Sequence, residues 1–138
     1  MPASRTTRVR TLQVAVATAA MVPVAAGLAG LWAGPGMAGA ALGDGPGVLS
    51  LDSHFRYLSG LLLGIGIGFW TLVPRIAEQA AAFRLLTAIV IVGGAGRLAS
   101  LLLAGTPSAP MLAALAMELV VTPFLCGWQA RLATRSGS

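Results

Sequence analysis

The chain has 138 residues, of which 57% are hydrophobic and only 9% are charged, and its mean hydropathy is +0.85. A soluble domain carries charge at about 25% of its positions, so this composition excludes an ordinary soluble globule and predicts an integral membrane protein. The net charge of +5 comes from nine basic residues, all arginine, against four acidic ones. Arginines beside apolar runs are topology signals, and no basic patch alternates with aromatic residues, so nucleic-acid binding is not predicted.

An uncharged run after the arginine-rich N-terminus predicts a first membrane-spanning helix over about residues 11–33. It exceeds the roughly 20 residues that a helix needs to cross the hydrocarbon core. Pro23 lies inside the run and predicts a kink or a local opening of the helix. The alternative is a secretory signal peptide cleaved near residues 38–40. The apolar run is longer than the about 7–15 residues typical of such signals, so an uncleaved helix is predicted.

A glycine-rich stretch over residues 34–50 predicts a flexible loop. The second span is predicted over about residues 53–73. Ser50 or Asp52 is expected to cap its N-terminus, because short polar side chains accept hydrogen bonds from the first free amides of a helix. Pro74 is expected to end it, since proline cannot continue a helical hydrogen-bond pattern.

The third span is predicted over about residues 83–104 and the fourth over about 110–129, joined by a tight uncharged turn at 105–110. Pro123 predicts a kink in the fourth span. The predicted fold class is therefore all-α, an integral membrane four-transmembrane-helix bundle, in one domain that covers residues 1–138.

The arginines predict the orientation of these spans, because cytoplasmic loops carry an excess of basic residues. The first and third loops contain none, and the other flanks contain Arg5, Arg8, Arg10, Arg75, Arg84, Arg131 and Arg135. Both termini are therefore expected in the cytoplasm, and the chain is expected to be a multi-pass protein of a bacterial cytoplasmic (inner) membrane. The aromatic residues agree: Trp32 and Tyr57 fall at the outer interface, and Trp70 and Trp128 fall at the inner one.

Ionisable residues interrupt the apolar runs, and charges within hydrocarbon mark a functional site by default. Asp52 precedes Arg56 by four positions, the favourable order for an ion pair on one helix. Folding the third and fourth spans about their turn sets Arg97 level with Glu118. We therefore predict two linked ion pairs with no net charge, in a buried polar pocket that opens to the extracytoplasmic side. The candidate ligand-binding residues are Asp52, His54, Arg56, Ser59, Arg97 and Glu118.

Three functions are compatible with such a pocket. The first is a non-enzymatic protein that binds a small amphiphilic or anionic ligand, because the planar fork of arginine suits carboxylate or phosphate. The second is a membrane-embedded enzyme that uses His54 and Glu118 for proton transfer on a lipid-like substrate. Asp52 can orient His54 only if Asp52 lies in the helix cap, because positions two apart do not share a helix face. The third is a structural or assembly protein in which the pairs only fix helix packing. We expect the first.

Neither a cofactor nor a metal is predicted. Asp52, His54 and Glu118 lack the spacing of known metal-ligand sets. Cys126 is the only cysteine, so it cannot form an intrachain disulfide, and a small buried role is expected for it.

Small residues recur every four positions, a spacing typical of close helix packing in membranes. On the second span they follow Arg56 and predict packing inside the bundle or a homo-oligomer; they are Gly60, Gly64 and Gly68. In the same way Gly93 precedes Arg97 by four positions, and Ala114 precedes Glu118.

Several of these sequence motifs resemble those of a known protein family. Residues 51–60, 96–100 and 118–120, together with Pro123, resemble a bacterial membrane family described only as domain of unknown function 4345 (DUF4345). The resemblance covers roughly residues 12–132. It implies a four-span protein in which these polar residues recur, and it brings no activity. A more distant similarity to DoxX-like four-helix membrane proteins concerns architecture alone, and architecture does not transmit function.

Overall fold

The structure, a computed structural model, describes residues 2–38, 43 and 45–134. Every described element is helical, which confirms the predicted all-α class. In chain order the elements are α1 (Pro2–Ala33), a 3-10 turn (Gly34–Ala38), α2 (Pro46–Leu72), a 3-10 turn (Val73–Arg75), α3 (Ala80–Ala104), α4 (Ala109–Ala116), a π-helical segment (Met117–Val121) and α5 (Thr122–Thr134). The alternative cleavage site extends into residues 39–40, which lie outside the described residues, as does Arg135.

Four helices are long and apolar enough to cross a membrane, as predicted. They cover Thr6–Gly36, Pro46–Arg75, Ala80–Ala104 and Ala109–Ala133. The shortest of them has 25 residues and so a length of about 38 Å, against a hydrocarbon core of about 30 Å. The four predicted spans therefore correspond to these helices, and the main differences lie at the helix ends.

The start of α2 is the clearest such difference. The amides of Val48 and Leu49 donate to the carbonyl of Gly45, so the helix begins at Pro46 and not near residue 53. Proline favours the first turn of a helix because its fixed φ is already helical and its missing N–H is not needed there. The prediction that Ser50 or Asp52 caps this helix is therefore wrong, and the Ser50 hydroxyl donates to the Pro46 carbonyl inside it.

One compact unit comprises residues Val16–Thr71 and contains most of α1 and α2. Its helices run antiparallel and approach closely where glycine replaces a side chain. A Cβ at Gly27 would lie 2.7 Å from the Leu63 amide nitrogen, and one at Gly66 would lie 2.6 Å from Val24 Cγ2. Because atoms cannot approach that closely, these glycines allow the backbones to meet, as small residues do between membrane helices.

The face of α2 that contacts α1 differs from the predicted glycine stripe. It carries Ser59, Leu63, Gly66 and Trp70, whose indole N–H donates to the Ala17 carbonyl at 3.0 Å. The predicted stripe was Gly60, Gly64 and Gly68. Within the described part of this unit a Cβ at Gly64 would have no neighbour within 4 Å, so the stripe is not the face that packs against α1.

The other compact unit comprises the chain up to Ala15 and from Leu72 onward. In it α3 packs against α4, the π-helical segment and α5. Two glutamines bind the connection between α2 and α3. Gln13 Nε2 donates to the Val73 carbonyl at 2.9 Å, and Gln129 Nε2 donates to the Ile76 carbonyl at 2.7 Å. The largest fully buried side chains of the described residues are those of Leu12, Ile76, Phe83 and Gln129, and they place the core of this unit beside that connection.

The π-helical segment lies directly before Pro123. The backbone N–H of Thr122 donates to the carbonyl of Met117, five residues earlier, and the Thr122 hydroxyl donates to the same oxygen at 2.9 Å. Pro123 has no N–H, and its ring would clash with the carbonyl four residues before it in a regular helix. The π-helical segment is therefore a wide turn, in which a hydrogen bond spans five residues where a regular α-helix spans four, and this turn accommodates the proline. By contrast, α1 continues through Pro23 as one helix.

Candidate functional site

The first predicted ion pair is present on α2. Arg56 Nε donates to Asp52 Oδ2 at 2.9 Å. Because α2 begins at Pro46, both residues are helical, and their spacing of four places them on one face. The prediction that Asp52 pairs with Arg56 is therefore confirmed.

Arg56 also holds the C-terminal end of α1. Its Nη1 donates to the carbonyls of Leu31 and Trp32, the latter at 3.2 Å. The last carbonyls of a helix have no partner within it, and an arginine can supply one. The next residue past α1, Gly34, has φ +58°, and a Cβ there would lie 2.5 Å from Asp52 Oδ1. The sequence ends α1 with glycine where both the conformation and the space require it, and the ion pair acts there as a helix cap.

Two other candidate residues of α2 have local partners. The Ser59 hydroxyl is buried, donates to the Phe55 carbonyl at 2.8 Å, and lies against Gly30 of α1. The His54 side chain is exposed, and its ring centre is 6.4 Å from that of Tyr57. Asp52 lies inside the helix and bonds to Arg56, so the cap geometry needed for an Asp52–His54 acid–base pair is absent.

The second predicted ion pair joins α3 to the π-helical segment. Arg97 Nε donates to Glu118 Oε1 at 3.0 Å, and Arg97 Nη1 lies 3.0 Å from the sulfur of Met111 on α4. The prediction that Arg97 pairs with Glu118 is therefore confirmed. The helices meet at Gly94, where a Cβ would lie 2.9 Å from Glu118 Cβ. The predicted neighbour, Gly93, would have no contact within 4 Å among the described residues, so the stripe was misplaced by one position.

The Arg97–Glu118 pair leaves one polar atom unsatisfied. Glu118 Oε2 is buried and has no hydrogen-bond partner among the described residues, and the whole side chain is 15% exposed. The Arg97 side chain is 36% exposed. An unsatisfied buried acceptor costs about 1–3 kcal/mol, and more when it is charged. Glu118 also lies in a π-helical segment, a deviation frequent at functional sites.

Sequence reasoning missed several residues that build these sites. The carbonyls of Leu31 and Trp32 have no sequence signature, because every residue has a carbonyl. Gly34 could have been found, since glycine after an apolar helix is the usual sign of a left-handed terminal residue. Met111 gave no signal, because a methionine in an apolar run is expected as packing.

The predicted ligand-binding role of these residues, and the link between the two pairs in one pocket, stay predictions. Cys126 is half-buried and is a free thiol. Within residues 2–38, 43 and 45–134, no group of three histidine, cysteine, aspartate or glutamate side chains could hold a metal ion.

These features define a class: an all-helical protein with four apolar helices of membrane-spanning length and a separate ion pair in each of two packed units. The family whose model matches the chain is described as Domain of unknown function (DUF4345), and it matches residues 11–129. The chain belongs to this family, which confirms the resemblance seen in the motifs. Comparison with curated proteins and with solved structures gives no match.

Proposed function

We propose that the protein is a multi-pass protein of the bacterial inner membrane with both termini in the cytoplasm. Four helices of sufficient length and apolar composition support the membrane location. The orientation is supported by Arg75 in the connection between α2 and α3 and by Arg84 near the start of α3, against a third loop at 105–108 that has no arginine. Trp32, a residue that is 89% exposed at the end of α1, suits the outer interface.

In this membrane the protein binds a small amphiphilic ligand, and Arg97 and Glu118 hold the ligand's polar group. The observation that carries this proposal is the unsatisfied oxygen of Glu118 beside a partly exposed arginine. The pair can supply a donor from Arg97 and an acceptor from Glu118 once the side chains adjust to a ligand. The guanidinium can donate to an oxygen of the ligand's polar group, Glu118 Oε2 can accept from a hydroxyl or ammonium of that group, and an alkyl chain suits the surrounding helices.

The other ion pair supports this assignment by contrast. Arg56 already bonds to Asp52 and to the carbonyls of Leu31 and Trp32, so its position is explained by folding alone. The enzymatic alternative with His54 loses its main argument, since Asp52 is bonded elsewhere. We therefore place the ligand's polar group at Arg97 and Glu118.

The experiment is to identify what co-purifies with the protein. The protein is purified in mild detergent, extracted with organic solvent, and the extract is analysed by mass spectrometry. We expect an amphiphile at a fixed ratio to the protein. A double variant, Arg97→Leu with Glu118→Met, should fold but lose it, because apolar side chains can replace a buried ion pair without loss of folding.

A second double variant, Asp52→Met with Arg56→Leu, removes an equal ion pair from α2 and serves as the matched control. It should keep the amphiphile. If the Arg97/Glu118 variant keeps the amphiphile, or only the Asp52/Arg56 variant loses it, the proposed site is wrong. If no amphiphile exceeds the amount found with an unrelated membrane protein, the proposed function is wrong.

A further inference from the structure

Arginines gather at one end of the unit that contains α3, α4 and α5. Gln13 binds the Val73 carbonyl and Gln129 binds the Ile76 carbonyl, so the start of α1 and the end of α5 both meet the connection between α2 and α3. Three arginines lie within three residues of these contacts in the sequence: Arg10, Arg75 and Arg131. Glu78 is the acid that the described part of the chain adds to this set. This end of the unit is therefore strongly positive.

An apolar groove reaches this end along α5. It has a volume of about 440 Å³ and is lined by Phe124, Gly127, Trp128 and Arg131. Their spacings of three and four positions place them on one face of the helix. The rings of Phe124 and Trp128 pack edge to face, with centres 6.2 Å apart. A Cβ at Gly127 would have no neighbour within 4 Å in the described chain, so glycine leaves the floor of the groove open.

We propose that this groove binds an anionic phospholipid, with its acyl chain over Phe124, Gly127 and Trp128 and its phosphate at Arg131. The inference goes beyond the amphiphile at Arg97 and Glu118, and it rests on the proposed membrane location. The lining is apolar along the helix and cationic at one end, so it complements the apolar acyl chain and the anionic phosphate of a phospholipid.

Charge complementarity selects the anionic class of lipid. The guanidinium of Arg131 can form paired hydrogen bonds to phosphate oxygens, and Arg10 and Arg75 at the same end attract negative charge. Tryptophan favours the depth of the lipid headgroups, where its ring is apolar and its N–H is polar. Basic pockets at the cytoplasmic side of membrane helices bind anionic headgroups. The groove combines three features on one helix face: a guanidinium for the phosphate, a tryptophan at the depth of the headgroups, and a position at the basic end of the unit.

Fluorescence quenching of Trp128 tests the proposal. A variant with Trp32→Phe and Trp70→Phe keeps Trp128 as its only tryptophan, and circular dichroism checks that it stays helical. It is reconstituted into phosphatidylcholine vesicles that contain the same small fraction of brominated lipid, either phosphatidylglycerol or phosphatidylcholine. Bromine quenches indole only at contact, so the quenching reports which lipid occupies the groove.

We expect brominated phosphatidylglycerol to occupy the groove about five times more readily than brominated phosphatidylcholine, the factor that one arginine contributes near a membrane surface. Arg131→Gln should remove this preference. Arg84→Gln makes the same charge change on α3, outside the groove and outside this set of arginines, so it should keep the preference. Gly127→Leu should also remove it by filling the groove, and Gly96→Leu, at another open glycine, should not.

The outcomes separate this inference from the proposed function. Equal quenching by the two lipids overturns the anionic site and leaves the membrane location standing. No quenching by either lipid overturns the membrane location and the site together. A preference that survives Arg131→Gln, or is lost equally in Arg84→Gln, overturns the role of Arg131.

Discussion

The two packed units of this protein use an ion pair in different ways. In the unit of α1 and α2, Arg56 binds Asp52 and then the last carbonyls of α1. In the unit of α3, α4 and α5, Arg97 binds Glu118 and leaves one carboxylate oxygen without a partner among the described residues.

The difference shows how to rank charged residues in an apolar protein. A charge whose hydrogen bonds complete a helix end is explained by folding. A charge whose partner keeps an unsatisfied buried oxygen is different, because that oxygen destabilises the folded protein. Such an ion pair is the better candidate for a ligand-binding site. The two units also differ in their close approaches, which occur at several glycines between α1 and α2 and at Gly94 beside Glu118.

The largest effect is expected from Arg97→Leu alone. It leaves Glu118 with both oxygens unpaired in apolar surroundings, so the free energy of unfolding should fall by about 3–5 kcal/mol. The double variant with Glu118→Met should stay within about 1 kcal/mol of the natural chain, because no charge is then left unpaired. Unfolding in mixed micelles with increasing dodecyl sulfate measures both. Equal stability of the single and double variants would contradict this account of the pair.

Glycine substitutions on α2 should separate its two faces. Gly66→Ala places a Cβ 2.6 Å from Val24 Cγ2 and 3.0 Å from the Val24 amide nitrogen, which cannot move without the helix. We expect a loss of about 1–3 kcal/mol from overpacking. Gly64→Ala meets open space in the described chain and should gain up to about 1 kcal/mol, because alanine favours helix more than glycine does. The same micelle titration compares them, and equal losses would place Gly64 in a contact between copies.

A smaller and local effect is expected from Arg56→Gln. It leaves Asp52 unpaired and removes the cap from the carbonyls of Leu31 and Trp32, so the last turn of α1 should open more readily. Hydrogen exchange in the last turn of α1 should accelerate about tenfold, because exchange there reports how often this turn opens. Arg84→Gln, an exposed arginine outside both pairs, is the matched control. Unchanged exchange in the Arg56 variant would show that the cap is not needed.

The smallest effect is expected from Met111→Leu. It keeps the volume of the side chain and removes only the weak contact between its sulfur and Arg97 Nη1. The loss in the free energy of unfolding should stay below about 1 kcal/mol, and the co-purifying amphiphile should remain. A loss as large as that of Arg97→Leu would mean that the sulfur, and not Glu118, holds the arginine.

The helices could be predicted because their apolar runs are long and bounded by proline, glycine and arginine. Pro74 and Gly105 ended helices as expected, with α2 stopping at Leu72 and α3 at Ala104. The start of α2 could not be placed, because glycine and proline near residue 46 suggested a loop, whereas Ser50 and Asp52 looked like caps.

The ion pairs could also be predicted. Asp52 and Arg56 are four positions apart on one helix, and Arg97 and Glu118 lie at equal distances in sequence from the two ends of the short turn at 105–110. The packing faces could not be predicted from a spacing of four alone. Each residue turns a helix by about 100°, so a stripe with that spacing drifts by about 40° at every step. The observed face of α2, with Ser59, Leu63, Gly66 and Trp70, alternates steps of four and three and stays under α1. Pro123 indicated an irregular helix, but a kink and a wide turn have the same sequence signal.

The wide turn at Met117–Val121 also sets the rotational phase of the helix after it. It accommodates one extra residue, so α5 is rotated by about 100° relative to an uninterrupted continuation of α4. The extra residue therefore determines the direction in which the side chains of Phe124, Trp128 and Arg131 point. Deleting one residue from the turn together with Pro123→Ala would let the helix close up regularly, and it would rotate all three side chains by about 100° about the helix axis.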